Sequence, residues 1–179
     1  MSPAYAKASA GKLVFHKAMR NQFFVVVDNI RSSENVGSIL RTSDALGITK
    51  IFLCGISPTP ALRTGGPDNE KLAKTALGAE KTVAWKYHKQ TWRLLQALKK
   101  QGVFITALEQ TSKSISLDKF SPKFPLVLVI GHEVKGVSPS VLKRVDAIIE
   151  IPMLGKKESL NVAVAFGIAG YEINQQRSL

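Results

Sequence analysis

The chain is poor in cysteine: Cys54 is the only one among its 179 residues. A single thiol cannot form an internal disulfide, and structural zinc sites need several cysteine or histidine ligands at close spacing. The three histidines, His16, His88 and His132, stand far apart in the sequence. We therefore predict neither a disulfide nor a metal site. With 45% hydrophobic residues, we expect an ordinary core in one domain.

Long apolar runs are absent as well. No segment reaches the roughly 18 apolar residues that span a membrane, and residues Met1–Gln22 lack the continuous apolar stretch of a secretory signal. This first segment carries four basic residues and no acid. We interpret it as a basic arm or a short docking helix in front of a domain over residues 23–179, and we expect a cytoplasmic protein.

Acidic residues are scarce. Asp and Glu number 13 against 25 Lys and Arg, which gives a formal net charge of +12 and a pI near 10.0. Such a surplus attracts polyanions, of which nucleic acid is the most common. A basic enzyme without a nucleic-acid partner is the alternative, whereas a membrane surface is disfavoured because no basic amphipathic helix stands out.

Short β-branched runs alternate with helical patterns. Continuous apolar runs of this length are typical of strands buried on both faces of a parallel sheet. We predict strands at Phe23–Val27, Lys50–Cys54, Thr82–Trp85, Val103–Ala107, Leu126–Ile130 and Ala147–Ile151. We predict helices over Asn35–Gly47 and Thr91–Gln101, and a closing helix marked by Leu160, Val164, Ile168 and Tyr171. The alternation predicts an α/β fold with a mostly parallel sheet flanked by helices. The irregular segment Gly55–Asn69 is too long for a plain connection and indicates a functional or disordered loop.

The first of three notable segments, Asp28–Gly47, runs from a strand into a helix. Asn35 is a suitable N-cap. Gly37 lies one turn before Arg41, so its missing side chain would leave space beside the guanidinium. An ordinary capped helix with a solvated arginine explains this segment equally well.

The second segment, Leu126–Ser138, ends a strand at Gly131 and continues through Glu133 to Gly136. Ligands bind at the carboxyl ends of strands in parallel α/β sheets. Gly131 would permit a backbone to approach a ligand closely, and Gly136 would permit a turn that other residues resist. The alternative is a tight strand–helix turn with an exposed acid.

The third segment, Ile149–Glu172, passes from a strand through a polar loop into a helix rich in alanine and glycine. Ser159 is a suitable cap for this helix, and Asn161 lies in its first turn. The small residues allow another backbone to pack closely. A buried closing helix with an ordinary cap explains the capping but not the loop before it.

Together, the stretches NVGSILR, VIGHEVKG and IPMLGKKESLNVAVA resemble the motifs of the SpoU-type (TrmH) RNA ribose methyltransferases of the SPOUT superfamily. They occur in the family's order, and the resemblance covers Phe23 to about Ile173. One departure is His132, where the family more often has asparagine. This departure weakens only what is inferred for that side chain, for which a role as catalytic base is the lesser hypothesis.

The resemblance implies a deep trefoil knot in the C-terminal third, S-adenosylmethionine bound in the knot, and a homodimer whose active sites combine both subunits. Carried over by position, the cofactor contacts are Leu108, Gly131, Ile151 and Leu160. The catalytic position corresponds to Arg41, with Asn35, Glu133, Ser159 and Asn161 around it.

Methyl transfer to a ribose 2′-hydroxyl requires alignment and removal of one proton. Arginine is an awkward base, because its ordinary pKa exceeds about 12. Arg41 is therefore either an unusual base or a cation that stabilises the alkoxide and grips a phosphate, while the proton passes to phosphate, water or Glu133. We expect Arg31, Lys156, Lys157 and the basic arm to contact RNA phosphates.

The sequence argues against one other class of enzyme and leaves two other functions open. A dinucleotide-dependent oxidoreductase would carry G-x-G-x-x-G after its first strand, and none follows Val27. A knotted methyltransferase that modifies a base nitrogen and a non-catalytic RNA-binding or ribosome-assembly protein stay open as alternatives. The expected substrate is tRNA or rRNA, with tRNA slightly favoured because no separate RNA-recognition domain is evident.

Overall fold

The structure, a computed structural model, describes residues 21–61 and 69–177. Most of the predicted basic arm and part of the Gly55–Asn69 segment therefore lie outside the described residues. In chain order the elements are β1 (Phe23–Asp28), α1 (Ser33–Ala45), β2 (Lys50–Cys54), α2 (Glu70–Ala76), α3 (Ala79–Thr82), β3 (Trp85–His88), α4 (Thr91–Lys100), β4 (Phe104–Leu108), β5 (Ile115–Ser116), a 3-10 turn (Leu117–Lys119), β6 (Leu126–Gly131), α5 (Pro139–Leu142), β7 (Ala147–Glu150) and α6 (Val162–Gln175).

The strands form one sheet in the order β3-β2-β1-β6-β4-β7-β5. Every pairing between these strands is parallel, which confirms the α/β prediction. Asp28 is in register with Cys54 on one side and Gly131 on the other. The carboxyl ends of the strands therefore meet at one edge, where the loops that follow them converge.

The core lies on both faces of this sheet. In β1 all six residues are buried, and because side chains alternate along a strand, Val25 and Val26 belong to different apolar clusters. On one face α1 and α6 cover the sheet with residues such as Leu40 and Phe166. On the other face α4 and α5 contribute residues such as Leu95 and Val141. This burial explains the continuous apolar runs in the strands.

Five predicted strands are confirmed within one residue at their ends, and one is misplaced. Thr82–Trp85 was predicted as a strand, but the short helix α3 occupies Ala79–Thr82 and the strand is Trp85–His88. Only the exposed Lys86 interrupts this half-buried edge strand, so no continuous apolar run marks it. Helix α2 was not predicted.

The cap predicted for α1 was wrong. Ser32 is the N-cap, and its hydroxyl accepts a hydrogen bond from the backbone N–H of Asn35 at 3.0 Å. Asn35 lies inside the first turn. Gly37 does not clear space for Arg41: a Cβ there would lie 2.0 Å from Thr75 Oγ1 and 2.4 Å from the carbonyl oxygen of Leu72. The glycine instead allows α2 to lie directly against α1.

The cap predicted for α6 was also wrong. Asn161 is the N-cap, and its side-chain oxygen accepts hydrogen bonds from the backbone N–H groups of Ala163 and Val164. The small residues were expected to admit another backbone, but at Gly170 the close neighbour is a side chain: a Cβ there would lie 2.9 Å from the side chain of Leu46, the residue that caps the end of α1. Helices α1 and α6 therefore pack closely, from the hydrogen bond between Asn161 and Asn35 at the edge where the strands end to the contact of Gly170 with Leu46 near the opposite edge.

Candidate active site

A cavity of about 230 Å³ opens at the carboxyl ends of β4, β6 and β7. Leu108 and Gly131 are the last residues of two of these strands, Ile151 directly follows the third, and Leu160 lies shortly before α6. All four positions expected to contact the cofactor line this one cavity. The parallel register thus brings together Leu108 and Ile151, which are 43 positions apart in the chain.

The lining combines aliphatic and acidic side chains. Ile130, Met153 and Val162 add to the apolar part, whereas Glu109, Glu133 and Glu150 are its acidic residues. Each carboxylate also accepts hydrogen bonds from the chain, for example from the backbone N–H of Val137 to Glu109 and from the hydroxyl of Ser114 to Glu150. Neither Glu109 nor Glu150 was singled out in the sequence. No motif marks them, although each lies within one residue of the carboxyl end of a strand, which is where a ligand is expected in such a sheet.

A tight turn, His132–Gly136, forms one wall of the cavity. His132 N–H donates to the carbonyl oxygen of Gly136 at 3.0 Å, and Gly136 N–H donates to that of His132 at 2.8 Å. Gly136 has φ +66°, so it makes the turn that was predicted from the sequence and that other residues resist. A Cβ at Gly131 would lie 2.3 Å from the backbone of Gly136 and Val137. The glycine at 131 therefore makes room for the chain's own turn.

The side chain of His132 completes this turn. Its Nδ1 accepts a hydrogen bond from the backbone N–H of Val134 at 3.0 Å. A nitrogen that accepts an N–H carries no proton of its own, so the proton of the neutral ring lies on Nε2. This arrangement leaves no free basic nitrogen on His132 and disfavours it as a catalytic base.

Glu133 links the turn to α1. Its carboxylate accepts hydrogen bonds from the backbone N–H groups of Arg31 (3.2 Å) and Ser32 (3.1 Å) and from Nδ2 of Asn35 (3.1 Å). Partial burial raises the pKa of Glu133, but the hydrogen bonds from its own backbone, Ser32, Asn35 and Arg31 outweigh burial and hold the pKa below its usual value. A negative charge at the amino end of α1 is also favoured by the helix dipole.

Asn35 extends this link to α6. Its Oδ1 accepts a hydrogen bond from Nδ2 of Asn161 at 3.1 Å, while Oδ1 of Asn161 caps α6. Glu133, Asn35 and Asn161 thus form a continuous chain of hydrogen bonds that joins the three sequence segments. Ser159 lines the cavity and does not cap the helix.

Arg41 stands apart from this group. It lies six residues after Asn35 on α1, about 9 Å farther along the helix axis. Its side chain is exposed, does not line the cavity, and has no ion pair with any carboxylate of the described residues. Lys156 and Lys157 are exposed in the loop before α6, and they too lie outside the cavity lining.

The described ranges contain no group of three metal-ligating side chains. Within these same ranges, none of the helices has the length and apolar character that a membrane span requires.

Known proteins resemble this chain in sequence and in fold. The tRNA (guanosine(18)-2'-O)-methyltransferase of Aquifex aeolicus is 32% identical over 158 residues, which make up 88% of this chain and 71% of the relative. The 23S rRNA (guanosine-2'-O-)-methyltransferase RlmB of Ralstonia nicotianae is 32% identical over 155 residues, 87% of this chain. The chain spans only 59% of that relative's length.

The crystal structure of an AdoMet-bound rRNA methyltransferase from Sinorhizobium meliloti superposes with a TM-score of 0.78 at 24% identity, covering 89% of this chain and 58% of that one. The two proteins therefore share a fold. The model of the SpoU rRNA Methylase family matches residues 22–171, a range that contains the first two sequence segments, all but the last residue of the third, and every residue lining the cavity. The chain belongs to the SpoU rRNA Methylase family.

Proposed function

We propose that this chain transfers a methyl group from S-adenosylmethionine to a ribose 2′-hydroxyl of tRNA or rRNA, with the cavity as the cofactor site. The observation that carries the proposal is the convergence of Leu108, Gly131, Ile151 and Leu160 on one cavity at the carboxyl edge of the sheet. The names of the Aquifex and Ralstonia relatives support the reaction. The AdoMet in the Sinorhizobium structure supports the cofactor.

The lining fits this cofactor. S-adenosylmethionine, when bound, supplies a methyl group on a positively charged sulfur, and it also carries an ammonium group. Glu109, Glu133 and Glu150 place carboxylates around the cavity, and opposite charges attract strongly where water is partly excluded. Aliphatic side chains such as Leu108 and Ile151 suit the adenine ring, because small-ligand sites are mostly apolar with a few placed polar groups.

The polar residues in and around the site have distinct roles in the proposed reaction. The hydrogen bond between Asn35 and Asn161 fixes the amino ends of α1 and α6 relative to each other, beside the cavity. Ser159, in the lining, contacts the substrate. Arg41 stabilises the developing alkoxide and binds the adjacent phosphate. Arg31, Lys156 and Lys157 contact the RNA backbone, whose phosphates attract the surplus positive charge of the chain. Among RNA substrates we favour tRNA slightly.

We also propose the trefoil knot. The segment between β4 and β6 pairs with the outer side of β7 through β5. It then passes α6, where Gln176 donates a hydrogen bond to the carbonyl oxygen of Phe120, before it returns to β6 on the opposite side of β4. Strand β7 and helix α6 therefore lie within the loop that this segment makes, an arrangement that supports threading of the chain end.

A homodimer is proposed on the exposed face of α6. Val164, Ile168 and Tyr171 are 51%, 44% and 57% exposed, and their spacing places them on one side of the helix. Leu154, beside them at a depression of about 710 Å³, is 98% exposed. An apolar face of this kind marks an interaction site. Because α6 packs on α1, a second copy on this face lies near Arg41, which supports an active site shared between subunits.

The proposed reaction is tested by two measurements. Isothermal titration measures binding of S-adenosylmethionine, and transfer of a radioactive methyl group is assayed on tRNA and rRNA from cells that lack the protein. Nuclease digestion of the product then locates the methyl group, which we expect on a ribose. A methyl group on a base would support a base methyltransferase, and absence of cofactor binding would support a non-catalytic RNA-binding protein.

The dimer is tested by substitution on the α6 face. We expect Ile168→Glu to give a monomer in light scattering, because it places a charge in the apolar contact. Leu77→Glu is the matched control, since Leu77 is also an exposed aliphatic residue, at 66%, but lies at the end of α2. A dimeric Ile168→Glu variant, or a wild-type monomer at all concentrations, would contradict the proposed interface.

A further inference from the structure

A second depression, the side groove, lies next to the cavity. It has a volume of about 690 Å³ and is lined by residues 28, 29, 31 and 56 on one side and residues 132, 134–136, 138 and 139 on the other. His132, Val134 and Gly136 line both the cavity and the side groove. The turn His132–Gly136 is therefore the partition between them.

The walls of the side groove are held in place by hydrogen bonds that start from the buried carboxylate of Asp28. The carboxylate of Asp28, which is 1% exposed, accepts from the backbone N–H of Ser138 at 3.2 Å and from Nδ2 of Asn29 at 2.9 Å. Oδ1 of Asn29 accepts in turn from the backbone N–H of Ile56 at 3.2 Å. Asp28 thus joins both walls. Because its oxygens accept hydrogen bonds from Asn29, Ser138 and the hydroxyl of Thr91, it does not present a free anion to the groove.

The surface of the side groove combines aliphatic side chains with cations. Ile56 is 57% exposed and Val134 is 88% exposed, although both are large apolar residues. Arg31 and Lys135 are exposed, and neither has an ion-pair partner among the described residues. Apolar surface flanked by unpaired cations is complementary to a nucleotide, which offers a flat base and a phosphate.

His132 provides a directed donor at the partition. Its Nδ1 is held by the backbone N–H of Val134, so that the ring carries its proton on Nε2. This Nε2 has no hydrogen-bond partner among the described residues, and it is not among the buried unsatisfied atoms. It is therefore a donor available to a bound molecule, with its ring orientation fixed by the turn.

We propose that the side groove binds the nucleotide of the substrate RNA that neighbours the methylated ribose. The base lies against Ile56 and Val134, Arg31 and Lys135 bind its phosphates, and the Nε2–H of His132 donates a hydrogen bond to it. This inference rests on the proposed RNA methylation and deepens it, because it identifies a substrate subsite distinct from the cofactor cavity. His132 acts there as a positioning residue.

The phosphate contacts are tested by the salt dependence of RNA binding. The binding constant for bulk tRNA from cells lacking the protein is measured by filter binding between about 50 and 200 mM salt. Each lost phosphate contact lowers the slope of log K against log salt by about one, so Arg31→Gln with Lys135→Gln should lower it by about two. The control is Lys81→Gln with Lys100→Gln, which removes the same charge. These two residues precede β3 and β4 and lie at the amino edge of the sheet, opposite the groove, so the control should leave the slope unchanged.

An unchanged slope in the groove variant would overturn the inference. This measurement needs no methyl transfer, so it gives a result even if the wild-type chain fails to bind S-adenosylmethionine, an outcome that would refute the proposed reaction instead. The two failures are therefore distinguishable.

The donor is tested by a matched pair of substitutions. His132→Asn keeps an oxygen for the N–H of Val134 and keeps an N–H donor. His132→Asp keeps the oxygen, loses the donor and adds a negative charge that also repels the RNA phosphates. With S-adenosylmethionine saturating, we expect His132→Asn to retain kcat and KM for tRNA within about threefold, and His132→Asp to raise KM at least tenfold. Circular dichroism checks that both variants are folded. Equal KM values for the two variants would overturn the role assigned to His132.

Discussion

Gly131→Ala is the substitution whose effect the structure defines most sharply. The added Cβ would lie 2.3 Å from the backbone carbon of Gly136 and from the nitrogen of Val137, whereas non-bonded carbon atoms prefer about 3.5–4.0 Å. The turn would have to move by about 1 Å. Overpacking of this kind costs about 1–3 kcal/mol, and the displaced turn carries Glu133 and lines the cavity.

We expect two results from this variant. Denaturant unfolding should show a loss of stability of about 1–3 kcal/mol, and isothermal titration should show binding of S-adenosylmethionine weakened at least tenfold. Gly155→Ala is the matched control, since a Cβ there meets no atom within 4 Å and neither glycine has a positive φ. If Gly131→Ala binds the cofactor as tightly as Gly155→Ala does, the turn does not shape the cofactor site and the reasoning is refuted.

The subunit arrangement, the charge of Glu133 and the burial of Cys54 can each be tested. If active sites combine two subunits, inactive Arg41→Ala and Glu133→Gln chains that are mixed equally and refolded together should recover about a quarter of wild-type methyl transfer. The reason is that half of the dimers are mixed, and each mixed dimer has one intact site of two. No recovery would place both residues of a site in one subunit. The pKa of Glu133 lies below its usual 4.5 in the folded chain, so its charge stabilises the fold above pH 4.5, and this contribution is lost as the pH falls through the lowered pKa. The difference in unfolding free energy between wild type and Glu133→Gln should therefore shrink below pH 4.5. A difference that stays constant with pH would contradict this prediction. Burial raises the pKa of Cys54 to about 12, with Asp28 adding to the shift, so iodoacetamide at pH 8 should label the unfolded chain and leave the native chain unmodified.

The sheet was predictable because its strands are buried on both faces. Runs such as Phe23–Val27 and Leu126–Ile130 lack the polar alternation of an exposed strand, and each became a central strand. Edge strand β3 was misplaced since its half-buried residues form no such run. Strand order was beyond reach, because the insertion of β6 between β1 and β4 depends on long-range packing that no local pattern encodes.

The candidate site was predictable at the level of residues and not of contacts. Asn35 and Ser159 were each assigned as helix caps from residue type, but Ser32 and Asn161 hold those positions. Several polar residues near a helix start are equally good caps by propensity. Tertiary contacts decide which of these residues becomes the cap. The side chain of Asn35 is hydrogen-bonded to Glu133 and Asn161, which are 98 and 126 residues away along the chain, so it does not cap α1.

These contacts bear on where the ribose proton goes. A general base needs a free lone pair and a pKa near the working pH. The two oxygens of Glu133 accept three N–H groups from Arg31, Ser32 and Asn35, and its pKa is lowered, so protonation would cost those hydrogen bonds. Glu133 therefore fixes the amino end of α1 against the turn and is a poor proton acceptor. Of the acceptors considered from sequence, the RNA phosphate, water and Arg41 remain, and of these only Arg41 belongs to the protein.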